Sequence, residues 1–201
     1  MPITIGNTTI SGLAQDGLPS GSVTTTTLAN SSVTRPKMGF AGTYLQMVST
    51  TKTDTFAASN SGWTAITGLS LSITPSSSSS KVLLSFHINY DSTRSNSGGG
   101  FALARNGTII DGSIGAAAGG RYRVSMDFGA NANADQSGMH RSFMYLDSPG
   151  TTSAITYQVY QYQDTAAYTT YINRARYDDS GGAQTDDGRF ASTITAIEIS
   201  G

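Results

Sequence analysis

Between residues 13 and 38 an apolar side chain falls on every fifth position: Leu13, Leu18, Val23, Leu28, Val33 and Met38. A period of five matches neither the 3.6-residue turn of an α-helix nor the two-residue alternation of a strand. One chain with such a stripe cannot bury it alone, so the spacing predicts an extended stalk whose apolar positions are covered by other copies. Punctuation by turn formers, as at Gly6-Asn7, Ser11-Gly12, Asp16-Gly17 and Pro19-Ser20-Gly21, accompanies the repeat. Charges before residue 40 are limited to Asp16, Arg35 and Lys37, and no aromatic residue precedes Phe40.

Beyond residue 40 the period changes to two. Leu69, Leu71 and Ile73 alternate with polar residues; Val82, Leu84, Phe86, Ile88 and Tyr90 alternate with Leu83, Ser85, His87 and Asn89; and Tyr122, Val124, Met126 and Phe128, then Ile155, Tyr157 and Val159, keep the same period. Each run predicts a half-buried strand. Further strands are expected over Tyr44–Ser49, Met139–Asp147, Tyr168–Arg176 and Thr193–Ile199. Phe101 to Ile110 reads as a hairpin, with Asn106-Gly107 supplying the positive φ angles of a two-residue turn. The pattern predicts an all-β protein: residues 1–40 form an extended N-terminal stalk, and residues 41–201 an antiparallel, jelly-roll-like β-sandwich head of about nine or ten strands.

Composition agrees with strands over helices. The 201 residues include 23 Gly and a single Glu, Glu198. Ser and Thr together make up roughly a quarter of the chain, and charged residues only 12%. A net charge of -1 with three lysines (Lys37, Lys52, Lys81) offers no field for nucleic acid. No apolar run is long enough for insertion into a membrane as a helix, and no signal peptide is visible at the start. Cysteine is absent, which removes disulfides and thiolate metal sites.

The block Gly21-Ser22-Val23-Thr24, continuing to Leu28-Ala29-Asn30, returns ten residues later as Ser31-Ser32-Val33-Thr34, then Lys37-Met38. It resembles the ten-residue stalk repeats of bacteriophage fibre proteins. The stretch Gly68-Leu69-Ser70-Leu71-Ser72-Ile73-Thr74-Pro75, its serine run, Lys81-Val82-Leu83, and the ending Thr193-Ile194-Thr195-Ala196-Ile197-Glu198-Ile199 are similar to the head domains of such fibres in marine and cyanobacterial phages. The resemblance implies a homotrimer within a virion, assembled in the host cytoplasm, with the apolar stalk positions on a threefold axis. It also implies that Met1 to about Leu18 anchors the chain to a tail, baseplate or capsid protein, and that the head meets a host surface glycan. A capsid-attached fibre, knob or decoration protein without a required receptor is the competing reading. A small polysaccharide-degrading enzyme is the third.

The chemistry-bearing residues favour binding over catalysis. Asp179-Ser180-Gly181-Gly182 echoes a serine-protease nucleophile segment, but the two histidines, His87 and His140, each stand alone in a strand pattern. No nucleotide-binding loop is present and no cofactor is implied. Asp178, Asp179, Asp186 and Asp187 form an acidic loop that is a weak calcium candidate, lacking the spacing of a calcium-binding loop. Aromatic residues carry the stronger signal. Tyr160, Tyr162, Tyr168, Tyr171 and Tyr177 lie close to Arg174 and Arg176, and are candidates for subunit-interface or receptor contact. Alternation turns Tyr157 inward and Tyr160 and Tyr162 outward. Trp63, the sole tryptophan, is expected just ahead of a strand as a core or interface anchor.

Overall fold

The structure, a computed structural model, describes residues 3–5, 8–10, 41–93, 98–129, 138–176 and 188–201. It divides into two units, Met1–Gly39 and Phe40–Gly201. In the first, strands β1 (Ile3–Ile5) and β2 (Thr8–Ile10) pair antiparallel, with Ile3 opposite Ile10. The stalk positions Leu13, Leu18, Val23, Leu28, Val33 and Met38 lie outside the described residues.

The second unit is all-β and antiparallel. Its strands are β3 (Tyr44–Lys52), β4 (Phe56–Ala58), β5 (Gly62–Ile73), β6 (Lys81–Ser92), β7 (Gly99–Arg105), β8 (Thr108–Ile109), β9 (Met126–Asp127), β10 (Met139–Asp147), β11 (Ile155–Gln163), β12 (Thr170–Ile172) and β13 (Ser192–Ile199). Among the described residues the one helical element is a 3-10 turn at Asp111–Ser113, and no helix is long and apolar enough to cross a membrane. One sheet runs β3-β13-β6-β12-β4, with β10 on the other side of β6; the second runs β5-β11-β7-β8, with β9 also on β7.

The two-residue alternation makes these sheets share a core. Val82, Leu84, Phe86, Ile88 and Tyr90 of β6 and Ile194 and Ala196 of β13 come from the first sheet. Leu69, Leu71 and Ile73 of β5, Phe101 and Leu103 of β7, and Ile155, Tyr157 and Val159 of β11 come from the second. This packing is compatible with a β-sandwich. Each fully buried Leu, Ile or Phe contributes about 1.5–3 kcal/mol relative to exposure. Opposite Val159, β5 bulges between Ala65 and Ser70, which lets Ile66 and Leu69 both face inward.

Several expectations meet the structure directly. Met139–Asp147 is a strand, and Asn106 (φ 50°) and Gly107 (φ 81°) make the two-residue turn joining β7 to β8. The alternating run Tyr122–Phe128 is different: only Met126–Asp127 pairs, because Gly115 N–H donates to the Val124 carbonyl and Ser125 Oγ donates to the Ser113 carbonyl instead. Tyr168–Arg176 is likewise strand only at Thr170–Ile172. Asn173 ends it by taking φ 61°, a value Asn tolerates, and its amide donates to the Lys52 and Asp54 carbonyls.

Candidate functional site

β11 lies in the middle of its sheet, between β5 and β7, and its alternation decides what reaches the surface. Ile155, Tyr157, Val159, Gln161 and Gln163 are buried, while Tyr160 and Tyr162 point to the opposite, outer face. Across the sheet, Tyr162 is the register partner of Trp63 on β5 and of Gly100 on β7. Trp63 therefore sits inside β5 rather than ahead of it, with its ring 5.2 Å from that of Tyr162 at 59°.

Gly100 explains the other flank. A Cβ at this position would run into the Met126 carbonyl and stand 2.9 Å from Val124 Cγ2. Without one, the segment preceding β9 lies close against β7. That segment carries Tyr122, whose ring stacks on Tyr162 at 5.8 Å and 24°. Trp63, Tyr162 and Tyr122 thus form an aromatic shelf. Beside it opens a cavity of about 620 Å³ lined by Gly120, Arg121, Tyr122, Tyr162 and Asp164. Flat π faces beside a guanidinium and a carboxylate suit a ligand with C–H-rich faces and ring hydroxyls.

A second cleft, of about 370 Å³, is lined in part by Arg105, Asp111, Tyr145 and Asp147. Its charges are already engaged. Arg105 Nη1 donates to both Asp147 oxygens at 3.0 and 2.9 Å, and the buried Tyr157 hydroxyl donates to Asp147 Oδ2 at 2.6 Å. Burial, then the hydrogen bond to Asp147, raises the Tyr157 phenol well above its ordinary pKa. Asp111 pairs with Arg123 Nη1 at 2.8 Å.

The tyrosine-rich stretch does not gather into one site. Tyr160 and Tyr162 share the outer face of β11, with Tyr160 opposite Ala65 and Ala102. Tyr171 belongs to β12 in the other sheet, where the Arg174 guanidinium lies 4.2 Å from its ring centre. Tyr168 lies, half-buried, between β11 and β12, and the Arg176 backbone N–H donates to Asp91 Oδ2 at 2.9 Å. Tyr177 and the acidic residues Asp178, Asp179, Asp186 and Asp187 lie outside the described residues, as does Ser180. Three residues of the shelf and its cavity escape a sequence reading: Tyr122 has the spacing of a core position, Arg121 follows a plain Gly-Gly pair, and Asp164 sits in a connection.

The histidines, isolated along the chain, are neighbours in space. Ser142 on β10 pairs with His87 on β6, so His140 and His87 stack with ring centres 5.7 Å apart. Ser142 Oγ lies 2.7 Å from His87 Nδ1. Among the described residues no three His, Cys, Asp or Glu side chains group as a metal site. No protein-family model matches this chain, and no curated protein matches it either.

Proposed function

We propose that this chain is a homotrimeric structural fibre protein of a bacteriophage virion, in which residues 1–40 form a threefold stalk and a jelly-roll-like head binds a host surface glycan. The N-terminal segment joins the fibre to a tail, baseplate or capsid protein. The observation that carries the binding role is the Trp63–Tyr162–Tyr122 shelf beside the cavity of Arg121 and Asp164. Stacked rings supply sequence-independent contact to a sugar face, and the two charged residues fix its orientation through hydroxyls. Three heads on one stalk raise avidity for a repeated glycan without a strong single contact. The engagement of Asp147 by Arg105 and Tyr157 favours a structural duty for that carboxylate over acid–base work on a polysaccharide.

Trp63 is the only tryptophan and touches the shelf, so its emission reports occupancy. Titration with lipopolysaccharide or capsular polysaccharide from the host should shift Trp63 fluorescence saturably. Tyr162→Ala, which removes the middle ring, should weaken binding by at least tenfold while the far-ultraviolet spectrum keeps its β character. A titration that leaves emission unchanged, with no retention of the polysaccharide, removes the receptor role. A capsid-attached decoration protein without a receptor would then be the better reading, and immunogold labelling of intact particles would distinguish shell from tail.

A further inference from the structure

The first sheet has an outer face turned away from the core. One row of side chains crosses it through four neighbouring strands: Met47 on β3 pairs with Ile197 on β13, Ile197 with Leu83 on β6, and Leu83 with Leu146 on β10. Met144 lies two residues from Leu146 on the same side of β10, and Tyr44 pairs with Ile199 at the end of β3. Tyr44, Met47, Met144 and Leu146 are 69, 68, 61 and 44% exposed, and they are the large hydrophobic side chains left exposed among the described residues. Scattered exposed apolar residues are ordinary, but all four on a single sheet face are a contiguous patch. Of the outward positions in these registers only Lys81, at the margin, is charged.

We propose that this face is where the β-rich units of neighbouring copies pack against one another, an inference that rests on the trimer proposed above. Three features select a second copy as occupant. An almost uncharged face gives a charged partner nothing to pair with, whereas the apolar faces of copies arranged about one axis bury each other. Its size is the second. Four strands about 4.8 Å apart and seven residues of about 3.3 Å give a footprint of roughly 19 by 23 Å, about 440 Å². That is about half of the ~800 Å² per partner found in independent stable complexes. Such a face does not hold free monomers together, but it suffices for copies already joined elsewhere, where the effective concentration is on the order of millimolar. The third is continuity along the chain. β3, the edge strand of this face, is the first strand after the five-residue repeat, and Met38 and Tyr44 are six positions apart. Six residues span at most about 20 Å, so copies joined through the repeat deliver their β3 strands together.

The absence of cysteine makes the test clean, because introduced thiols are unique. The full-length double variant Met47→Cys/Met144→Cys places one thiol at each edge of the face, three strands apart and out of reach of a short cross-linker within one copy. Ser72→Cys, exposed on β5 of the other sheet, is the control. After treatment with a short bismaleimide, denaturing gels and native mass spectrometry are read side by side. Expected are trimers by native mass, with covalent links between copies in the double variant and at least tenfold fewer in the control. A native trimer without such links, or with equal links in the control, overturns the interface and leaves the trimer standing. A monomer overturns both.

Discussion

Asp147 is where a buried charge has been made tolerable by its neighbours. It is almost fully buried, and it accepts from Arg105 and from Tyr157. Charge-assisted hydrogen bonds of this kind contribute about 1.5–3 kcal/mol. Asp147→Asn keeps the volume but leaves the half-exposed Arg105 without its counter-charge, so a loss of about 2 kcal/mol is expected. In a unit of this size that lowers the melting temperature by roughly 4–8 °C. Tyr157→Phe keeps the ion pair and should cost about 1 kcal/mol; thermal unfolding followed by circular dichroism separates the two. Tyr90 makes a different prediction, in alkali. Burial pushes its phenol up to about 12 from 10.0, with the Asp127 and Asp91 charges adding to the rise and Arg141 opposing it. The native state therefore holds a proton that the unfolded chain releases. Stability is complete below about pH 10 and should fall as pH rises from 10 towards 12, which urea midpoints measured from pH 9 to 12 would follow. A midpoint flat over that range would contradict the assignment. At the acid end, burial raises and hydrogen bonds from Ser76 and Gln46 lower the Glu198 carboxyl, with a net downward shift.

Among the strands, β7 shows how a missing side chain can organise its neighbours. Gly100 has backbone and Val124 where a Cβ would go, and this close approach brings Tyr122 onto Tyr162. Gly100→Ala should therefore destabilise by about 1–3 kcal/mol through overpacking. It should also pull Tyr122 off the shelf, so the glycan binding proposed above should weaken by about as much as in Tyr122→Ala. The unfolding midpoint and the Trp63 titration, run on the same sample, check both halves. The strands were legible wherever one face is buried and alternation is close to strict, as in the Leu84–Tyr90 part of β6 and the Ile155–Val159 part of β11. The turn Asn106-Gly107 was legible because few residue pairs accept two positive φ angles. Tyr122 to Phe128 misled because alternation records which side chains face inward, not whether a partner strand accompanies them. One ring of the shelf was legible in the outward turn of Tyr162. The other two, Tyr122 and Trp63, depend on a cross-sheet register and a glycine contact that no local pattern encodes. The tyrosine cluster of residues 157–177 looked continuous because it is close in sequence, yet the chain crosses from one sheet to the other within it.

The trimer proposed above draws its sharpest prediction from the five-residue spacing. Leu28→Asn with Val33→Asn should weaken the trimer at least tenfold, read by native mass spectrometry over a concentration series, while the β-rich unit retains its circular dichroism. A trimer indifferent to both changes would remove these side chains from the threefold axis. The contact across the outer sheet face rests on the trimer, yet it can fail while the trimer stands, as a native trimer without cross-links would show. β13 follows every other strand along the chain, yet it lies between β3 and β6. While a ribosome is still making the preceding residues, β3 has no neighbour on either side in that sheet, and the groove left for β13 is open. Pairing across nearly 150 positions closes slowly compared with local hairpins. A nascent chain can thus form the β7–β8 hairpin early, but it completes its larger sheet only after Ile199 has emerged. A chain that stops anywhere upstream therefore lacks the strand that joins β3 to β6, and its larger sheet stays open between them.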